Sequence, residues 1–317
     1  MNTKNDVILV TGGCGYVGSA LVQQLLMDGF SVRVVDTQWF GNNLPLHPQL
    51  EVLKADIRQA DDDWFSGVKA VVHLANIAND PAVDLNPSLS WEVNVLATYS
   101  LVERAIRSNV SRFIYASSGS VYGVSDRDRV SEDTPCLPIS TYNKTKMIAE
   151  RVLQSFGEDI DVYNIRPATV CGLSDRMRLD VAVNMLTHQA VTTGRICVLG
   201  GDQTRPNIHI KDMVRVYQHF VDNSNIESGC YNAGFENISI LQIAEKVKSK
   251  LGAQIIISES NDPRSYRQNS DKLINTGFNQ EFGVDYAIDE LINAFNNGKL
   301  IETDSCYTVK TMKNLKL

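Results

Sequence analysis

Residues 7–26 read VILVTGGCGYVGSALVQQLL, and this stretch decides the fold. Its first four residues predict a buried strand, and its second half has the apolar spacing of a helix. Between them Gly12, Gly15 and Gly18 are spaced three apart. Gly12 permits a tight turn, Gly15 lets a phosphate approach the backbone, and Gly18 lets the helix pack closely on the sheet. Because a helix N-terminus offers free N–H groups to anions, the stretch predicts a pyrophosphate-binding turn.

A second apolar run ends at Val35-Asp36, 21 residues beyond Gly15. A carboxylate at the end of the second strand accepts hydrogen bonds from the adenosine ribose of a dinucleotide. Such a carboxylate repels a 2′-phosphate, and no arginine immediately follows Asp36. The sequence therefore predicts NAD, rather than NADP, as the cofactor.

Short β-branched runs alternate with helical patterns through the first half of the chain, which predicts an α/β fold with a doubly wound parallel sheet, the Rossmann arrangement. The predicted strands are 7–10, 31–35, 52–54, 70–74, 112–116 and 162–165, and the predicted helices are 16–27, 89–108 and 141–156. After about Cys171 the alternation breaks down. There the predicted helices are 181–189, 212–222, 240–251 and 288–297, with short strands such as 255–258.

These patterns predict an NAD-binding domain over residues 1–172 and a smaller α+β lobe over residues 173–317, to which the family resemblance described below assigns the substrate. No Gly/Ser/Pro-rich linker separates the two parts. We therefore expect an entwined arrangement, in which segments such as 204–235 return to the first domain.

The composition limits the function classes. A formal net charge of −7 without a long basic run disfavours nucleic-acid binding. No apolar stretch is long enough to span a bilayer and the first residues are polar, so we expect no membrane segment and no secretory signal. The six cysteines and five histidines are scattered, which predicts no metal site and suits reduced thiols in the cytoplasm.

A second informative stretch, STYNKTK at 140–146, predicts a helix with Ser140 as its N-cap and with Gly157 closing it. Positions i and i+4 share a face, so Lys146 lies over Tyr142 and Lys144 points away. Two charges about 5 Å apart at an effective dielectric near 20 interact by roughly 3 kcal/mol. That interaction predicts a phenol pKa lowered by about 2 units, toward a range useful for acid–base catalysis. The alternative is an ordinary amphipathic helix with one exposed lysine.

The ordered motifs resemble those of the extended short-chain dehydrogenase/reductase family, in particular its nucleotide-sugar epimerases and dehydratases of the UDP-glucose 4-epimerase type. The matching segments run from Val7 to about Lys272. They are TGGCGYVG at 11–18, DIR at 56–58, HLA at 73–75, WEVNV at 91–95, SSGSVYG at 117–123, Tyr142 with Lys146, and RPATVCG at 166–172.

The resemblance implies roles for single residues. Tyr142 would be the general acid–base for a sugar hydroxyl, Lys146 would bind the nicotinamide ribose, and Ser118 would hydrogen-bond the same hydroxyl. The implied cofactor-binding residues are Gly12, Gly15, Tyr16, Val17, Gly18, Asp36, Asp56, Ile57, Leu74, Ala75, Asn94, Tyr142, Lys146 and Pro167.

The resemblance also implies a nucleotide-diphosphate sugar as substrate. Its implied ligands are Ser118, Ser120, Thr169, Asn184, Arg205 and Arg264, with Arg267 as the alternative to Arg264. The two arginines would clamp the diphosphate, since guanidinium forks suit phosphate oxygens. The segment GLSDRMRLDVAVN at 172–184 looks like a subgroup of heptose-nucleotide C4 dehydrogenases and epimerases of bacterial capsule pathways. For Arg176, Arg178 and the unusual Asn76 the sequence predicts no definite role.

Sugar 4,6-dehydratases of this family place Asp-Glu after the catalytic hydroxyl, where this chain has Gly119-Ser120. The sequence therefore predicts oxidation at C4 within a 4-epimerisation and disfavours 4,6-dehydration. A C4 dehydrogenase or reductase with net redox is the close alternative, and a non-catalytic NAD-binding regulator is a remoter one. The family commonly dimerises through two helices per subunit, which implies a homodimer through 89–108 and 141–156.

Overall fold

A computed structural model of the protein describes residues 6–125, 127–259 and 265–317. Within these ranges the strands are β1 Val7–Thr11, β2 Ser31–Asp36, β3 Leu50–Lys54, β4 Val68–His73, β5 Arg112–Ala116, β6 Asp161–Pro167, β7 Thr169–Cys171, β8 Arg195–Leu199, β9 Thr204–His209, β10 Gly229–Ala233, β11 Glu236–Ser239 and β12 Gln254–Ser258. The α-helices are α1 Tyr16–Met27, α2 Asp80–Val83, α3 Pro87–Trp91, α4 Ala97–Arg107, α5 Thr141–Gln154, α6 Ala182–Thr193, α7 Ile210–Asp222, α8 Ile240–Leu251, α9 Asp271–Ile274, α10 Val284–Asn296 and α11 Thr308–Asn314.

The centre of the molecule is a seven-stranded sheet in the order β10-β6-β5-β4-β1-β2-β3. Every neighbouring pair of strands in it is parallel. Strand order reverses at β1, which is the position where open α/β sheets bind their ligands. The predicted doubly wound fold is confirmed.

Alternate residues of β1 enter two different cores, which is why the strand is apolar throughout. Ile8 and Val10 pack with α1 and α7 on one face, whereas Leu9 packs with α4 and α5 on the other. A third core joins α6, α8 and α10 to β8 and β12. The strand β10 forms one edge of the main sheet, although it lies in the second half of the sequence. The domain boundary at residue 172 stays a prediction.

The predicted helix 89–108 begins two residues earlier and contains a π-helical turn at Glu92–Leu96 between α3 and α4. A π turn inserts one extra residue and so re-aims the side chains around it. Here Asn94 within the turn is directed at the backbone of Ile77, whose N–H donates to Asn94 Oδ1 at 2.8 Å. The sequence pattern of this helix gives no sign of the insertion.

The predicted N-cap of α5 is confirmed, because Ser140 Oγ accepts from the Asn143 N–H at 3.2 Å. The predicted closure at Gly157 is wrong, since the helix ends at Gln154. Ser155 already donates its N–H to both Arg151 and Val152 carbonyls, and this tightened turn ends the helix before the glycine.

Candidate active site

A crevice of about 1290 Å³ lies at the carboxyl ends of the central strands. It is bounded by the glycine turn, the ends of β4 and β5, helix α5 and the loop that follows β7. The sequence-predicted site residues that line it are Gly12, Gly15, Tyr16, Val17, Gly18, Leu74, Ser118, Ser120, Tyr142, Lys146, Pro167, Thr169 and Arg205. The fold therefore brings together residues that are up to 193 positions apart in the chain, from Gly12 to Arg205.

The glycine turn leaves an open face toward the crevice. Gly12 has a φ of +74°, and a Cβ there would lie 2.5 Å from the Ala75 nitrogen. A Cβ on Gly18 would overlap the Gly12 carbonyl oxygen, so this glycine allows α1 to approach the turn. A Cβ on Gly15 would meet only the Gly12 oxygen, at 3.1 Å. Its other side faces the crevice, where a diphosphate would approach the first N–H groups of α1. The turn thus fits a dinucleotide.

Asp36 is held at the end of β2 by two backbone donors. Its Oδ2 accepts from Cys14 N at 2.9 Å and its Oδ1 from Gln38 N at 2.7 Å. Burial raises the pKa of Asp36, and these hydrogen bonds oppose the rise. Each oxygen keeps a lone pair for a ribose hydroxyl, so this carboxylate also fits the predicted cofactor.

The second predicted acid, Asp56, pairs with Arg58 at 2.7 Å and caps the short turn Ile57–Gln59. Ile57 is buried. Neither Asp56 nor Ile57 lines the crevice wall described above, and their predicted contact with adenine stays a prediction.

A buried hydrogen-bond chain fixes the end of β4. Thr98 Oγ donates to the Asn94 carbonyl at 3.0 Å, so His73 Nε2–H donates to Thr98 at 2.9 Å. His73 Nδ1 then accepts from Thr11 Oγ at 2.6 Å. Burial and, to a smaller extent, the positive charge of Lys146 lower the pKa of His73 to about 3, so the ring stays neutral. The histidine of the HLA segment therefore has a structural role here.

Asn94 does not line the crevice, and its predicted contact with the cofactor stays a prediction. It is 1% exposed, and its Nδ2 donates to the Ile77 carbonyl at 3.2 Å and to Thr145 Oγ at 3.1 Å. These bonds and the one from Ile77 N occupy its amide inside the protein. Asn94 thus affects the crevice indirectly, because it connects the 75–77 turn to α5.

Tyr142 and Lys146 lie on one face of α5 and both line the crevice, whereas Lys144 is exposed. The expected lowering of the tyrosine pKa is wrong for this structure. Burial raises the pKa of Tyr142 to about 12, and a hydrogen bond with Ser118 opposes only part of that rise. Lys146 Nζ is 5.9 Å from the centre of the Tyr142 ring and donates to the Ala116 carbonyl at 2.7 Å.

Lys146 is itself perturbed, because it is only 1% exposed. Burial lowers its pKa to about 7, and the Glu150 carboxylate one helical turn further opposes that fall. For both Tyr142 and Lys146, the cost of burying the charged form therefore exceeds the attraction between a phenolate and an ammonium, from which a lowered tyrosine pKa was expected.

The loop after β5 presents its hydroxyls to the same place. Ser118 Oγ and Ser120 Oγ are 2.7 Å apart, and Ser120 donates in turn to Asn143 Oδ1 on α5. A Cβ on Gly119 between them would lie 2.8 Å from Gln268 Nε2 and 3.1 Å from the Pro167 oxygen, so a side chain there would require Gln268 to shift.

A buried ion pair behind Lys146 was not identified from the sequence. Arg166 and Glu150 are 5% and 2% exposed and form two hydrogen bonds, at 2.7 and 2.9 Å. Glu150 also accepts from Ser117 Oγ, and Arg166 donates to Tyr122 OH at 2.8 Å. The pair therefore joins α5 to the serine loop. The available signal was the spacing of Glu150, four residues after Lys146.

The predicted substrate residues divide into three groups. Thr169 and Arg205 line the crevice, as do both serines. Asn184 is fully buried, accepts from Gly172 N at 3.0 Å and donates to Tyr16 OH at 3.0 Å and to the Arg178 carbonyl at 2.9 Å. Its predicted contact with the substrate phosphates stays a prediction. Arg264 lies outside the described residues. Its alternative, Arg267, is exposed and does not line the crevice.

Asn76 lines the crevice beside the end of β4. Its Nδ2 donates to the Leu74 carbonyl at 2.6 Å, while its buried Oδ1 has no hydrogen-bond partner.

Two further features concern residues 6–125, 127–259 and 265–317. No helix there is long and apolar enough to cross a membrane. No three His, Cys, Asp or Glu side chains in the same ranges are grouped so that they could hold a metal ion.

Comparison with known proteins gives consistent results. The model of the NAD dependent epimerase/dehydratase family matches residues 8–234. The UDP-glucose 4-epimerase of Mycolicibacterium smegmatis is 34% identical over 66% of this chain and 71% of its own, and that of Lactobacillus helveticus is 26% identical over 76% and 81%. The Bacillus cereus UDP-glucuronic acid 4-epimerase, solved with UDP-glucuronic acid and NAD, is 25% identical and superposes with a TM-score of 0.81 over 92% of this chain and 99% of that one.

Proposed function

Because this chain belongs to the NAD-dependent epimerase/dehydratase family, we propose that it oxidises C4 of a nucleotide-activated sugar as part of a 4-epimerisation. The observation that carries the proposal is the meeting of Ser118, Tyr142 and Lys146 in the crevice lined by the glycine turn. Hydride removal from a carbinol needs proton removal by a positioned group, and these side chains are suited to that task.

The mechanism assigns each side chain one task. Tyr142, as the phenolate, would accept the proton of the C4 hydroxyl and return it later, and Ser118 would hold the same hydroxyl by a hydrogen bond. Burial raises the pKa of Tyr142 to about 12, so this step requires positive charge in the loaded site to favour the phenolate. Lys146 supplies a positive charge next to the phenol when protonated, and a pKa of about 7 lets this charge respond to its surroundings. When bound, NAD supplies the hydride acceptor. The glycine turn and Asp36 would hold it.

The pair of Arg166 and Glu150 would position these groups. It fixes Ser117, the neighbour of Ser118, and places a carboxylate one turn beyond Lys146. The charge of Glu150 favours the protonated lysine, which otherwise loses its proton to burial.

Epimerisation rather than dehydration is supported by the loop after Ser118. A 4,6-elimination needs an acid and a base at positions 119 and 120. Gly119 carries no side chain that could act as an acid, and Ser120 already donates to Asn143.

On the substrate side, Arg205 and Thr169 of the crevice wall support a nucleotide-diphosphate sugar as the substrate. The names of the relatives favour a UDP-sugar with glucose or glucuronic acid. A heptose substrate, a capsule pathway and a cytoplasmic location stay predictions from the sequence.

The test uses UDP-glucose and UDP-glucuronic acid that carry deuterium at C4, with NAD added. We expect the C4 epimer with the deuterium kept at C4, because the hydride returns to the carbon that it left. A 4-keto product with an equal amount of NADH would instead show a dehydrogenase, and a product that has lost water would show a dehydratase. Either product, or epimer that has exchanged its deuterium, contradicts the proposed cycle.

We also propose a homodimer formed through the helical segment 87–107 and α5. The side chains of Leu96 and Tyr99 in this segment are 63% and 44% exposed, which is unusual for a helix that contributes to a core. Light scattering on wild-type protein and on Leu96→Glu should give a dimer and a monomer, respectively. Equal masses for both proteins contradict this interface.

A further inference from the structure

Arg176 is a buried guanidinium on the wall of the crevice. It is 4% exposed, although an arginine between Asp175 and Met177 in a polar loop would ordinarily be solvated. Its Cζ lies 3.9 Å from the centre of the Phe40 ring, so the planar group is stacked on an aromatic face. Stacking fixes the orientation of its N–H donors without using them.

These donors are poorly satisfied within the protein. Nη2 makes one long hydrogen bond, 3.4 Å to Thr308 Oγ, and the buried Nε has no partner. Across the described residues no carboxylate lies within 4 Å of this guanidinium, since Asp180 is committed to Arg178 at 2.7 Å and to Thr308 N at 3.0 Å. Buried arginines are normally paired, because an isolated charge is costly to desolvate.

The position of Arg176 indicates which anion would pair with it. The backbone N–H of Arg176 donates to Ser19 Oγ, in the first turn of α1, at 3.5 Å. The charge of Arg176 acts on Asp36, and the Phe40 ring on which its guanidinium stacks follows Asp36 by four residues. These contacts place Arg176 beside the glycine turn and the end of β2.

We propose that Arg176 binds the diphosphate of the dinucleotide together with the glycine turn. The helix N-terminus offers backbone donors, and the guanidinium offers a rigid fork. The loop 173–180 that carries the arginine would thereby be tied to the bound cofactor. A 2′-phosphate is a poorer partner, because Asp36 occupies the ribose end with negative charge.

The experiment compares wild-type protein with Arg176→Met, Arg176→Lys and Arg107→Met, each freed of dinucleotide. Arg107 is 61% exposed on α4 and provides a matched loss of charge. Titration calorimetry with NAD, NADP and UDP distinguishes the dinucleotide diphosphate, a 2′-phosphate and the diphosphate of a nucleotide-sugar substrate. Thermal unfolding of the cofactor-free proteins reports whether the arginine supports the fold.

We expect Arg176→Met to raise the Kd for NAD about 10- to 100-fold, with the NAD-to-NADP ratio and the Kd for UDP changed less than about threefold. Its cofactor-free form should unfold at the wild-type temperature or higher, since an unpaired buried charge has been removed. Arg176→Lys should give an intermediate Kd, and this variant decides the matter if the methionine protein does not fold. Arg107→Met should bind NAD like the wild type.

An unchanged Kd for NAD in Arg176→Met overturns the inference, as does a loss confined to NADP or to UDP. A lowered unfolding temperature with normal NAD binding shows a structural role and also overturns it. This inference depends on the proposed function in one respect only, which is that the protein binds NAD. If wild-type protein does not bind NAD, both fail, whereas normal binding by wild type and variant alike removes the inference alone.

Discussion

Lys146 shows how the surroundings of a single residue change its chemistry. In sequence it is the ammonium one turn beyond a tyrosine. In the structure it is 1% exposed, donates to the Ala116 carbonyl and lies 4.8 Å from the centre of the Tyr115 ring. Burial favours its neutral form, and the pKa falls to about 7 from an ordinary 10.5. The residue is therefore held near the point where a neighbouring charge decides its protonation.

This perturbation predicts a pH dependence of stability. Between about pH 7 and 10.5 the unfolded chain binds a proton at Lys146 that the native protein does not, so the free energy of unfolding rises with pH. Below about pH 7 the buried lysine is charged in both states and the increment is absent. Urea unfolding of the cofactor-free protein at pH 6.5 and 9.5 should show a rise larger by roughly 3 kcal/mol than in Lys146→Met. Parallel pH profiles for the two proteins would show that the lysine keeps its ordinary pKa.

In the glycine turn and α1, two glycines of one motif have different tasks: one leaves room for a ligand, and the other lets the helix pack on the turn. Gly15 has the ordinary extended backbone of an N-cap, with a φ of −78°, so its lack of a side chain serves what approaches from the crevice. Gly18 lies against the Gly12 carbonyl, so its lack of a side chain serves the packing of the helix on the turn. One glycine is thus assigned to the ligand and the other to the fold.

Alanine at each position tests this division. Gly15→Ala requires the Gly12 oxygen to move by a few tenths of an ångström, so its free energy of unfolding should stay within about 1 kcal/mol of wild type while its Kd for NAD rises at least about tenfold. Gly18→Ala should lose about 1–3 kcal/mol of stability through overpacking. Urea unfolding and NAD titration of both proteins provide the measurement. Equal stability losses with intact NAD binding would remove the assignment.

For the whole molecule, the sequence was informative wherever one interaction dominates. Parallel strands buried on both faces appear as continuous apolar runs, so β1 to β6 could be predicted closely. The helix α11 could not be predicted, because TVKTMKN lacks a strong helical pattern. The helix is stabilised instead by Met312, which packs into a core formed by residues far away in the sequence. The π turn that aims Asn94 leaves the local pattern unchanged. The burial of Asn184 and Arg176 could not be predicted, because it depends on the packing of both halves of the chain.

The C-terminal helix gives a prediction at this scale. Met312 is 1% exposed and belongs to the buried cluster that contains Leu9, Ala82 and Val83, although it lies five residues from the end of the described chain. Met312→Ala should lower the free energy of unfolding by about 2–4 kcal/mol, since truncation leaves a cavity. Met27, which is 72% exposed at the end of α1, is the control, and its alanine variant should change stability by less than about 0.5 kcal/mol. Equal effects would show that α11 does not join the core in solution.

The central claim is that Tyr142 transfers the proton of the sugar hydroxyl beside the bound dinucleotide. The most direct measurement compares Tyr142→Phe with wild type for two quantities, the rate of C4 inversion of UDP-glucose or UDP-glucuronic acid and the Kd for NAD. The account predicts that the rate falls by about a thousandfold or more while the Kd stays within about threefold, because only the proton-carrying oxygen is removed. Inversion at a rate close to that of the wild type would contradict it.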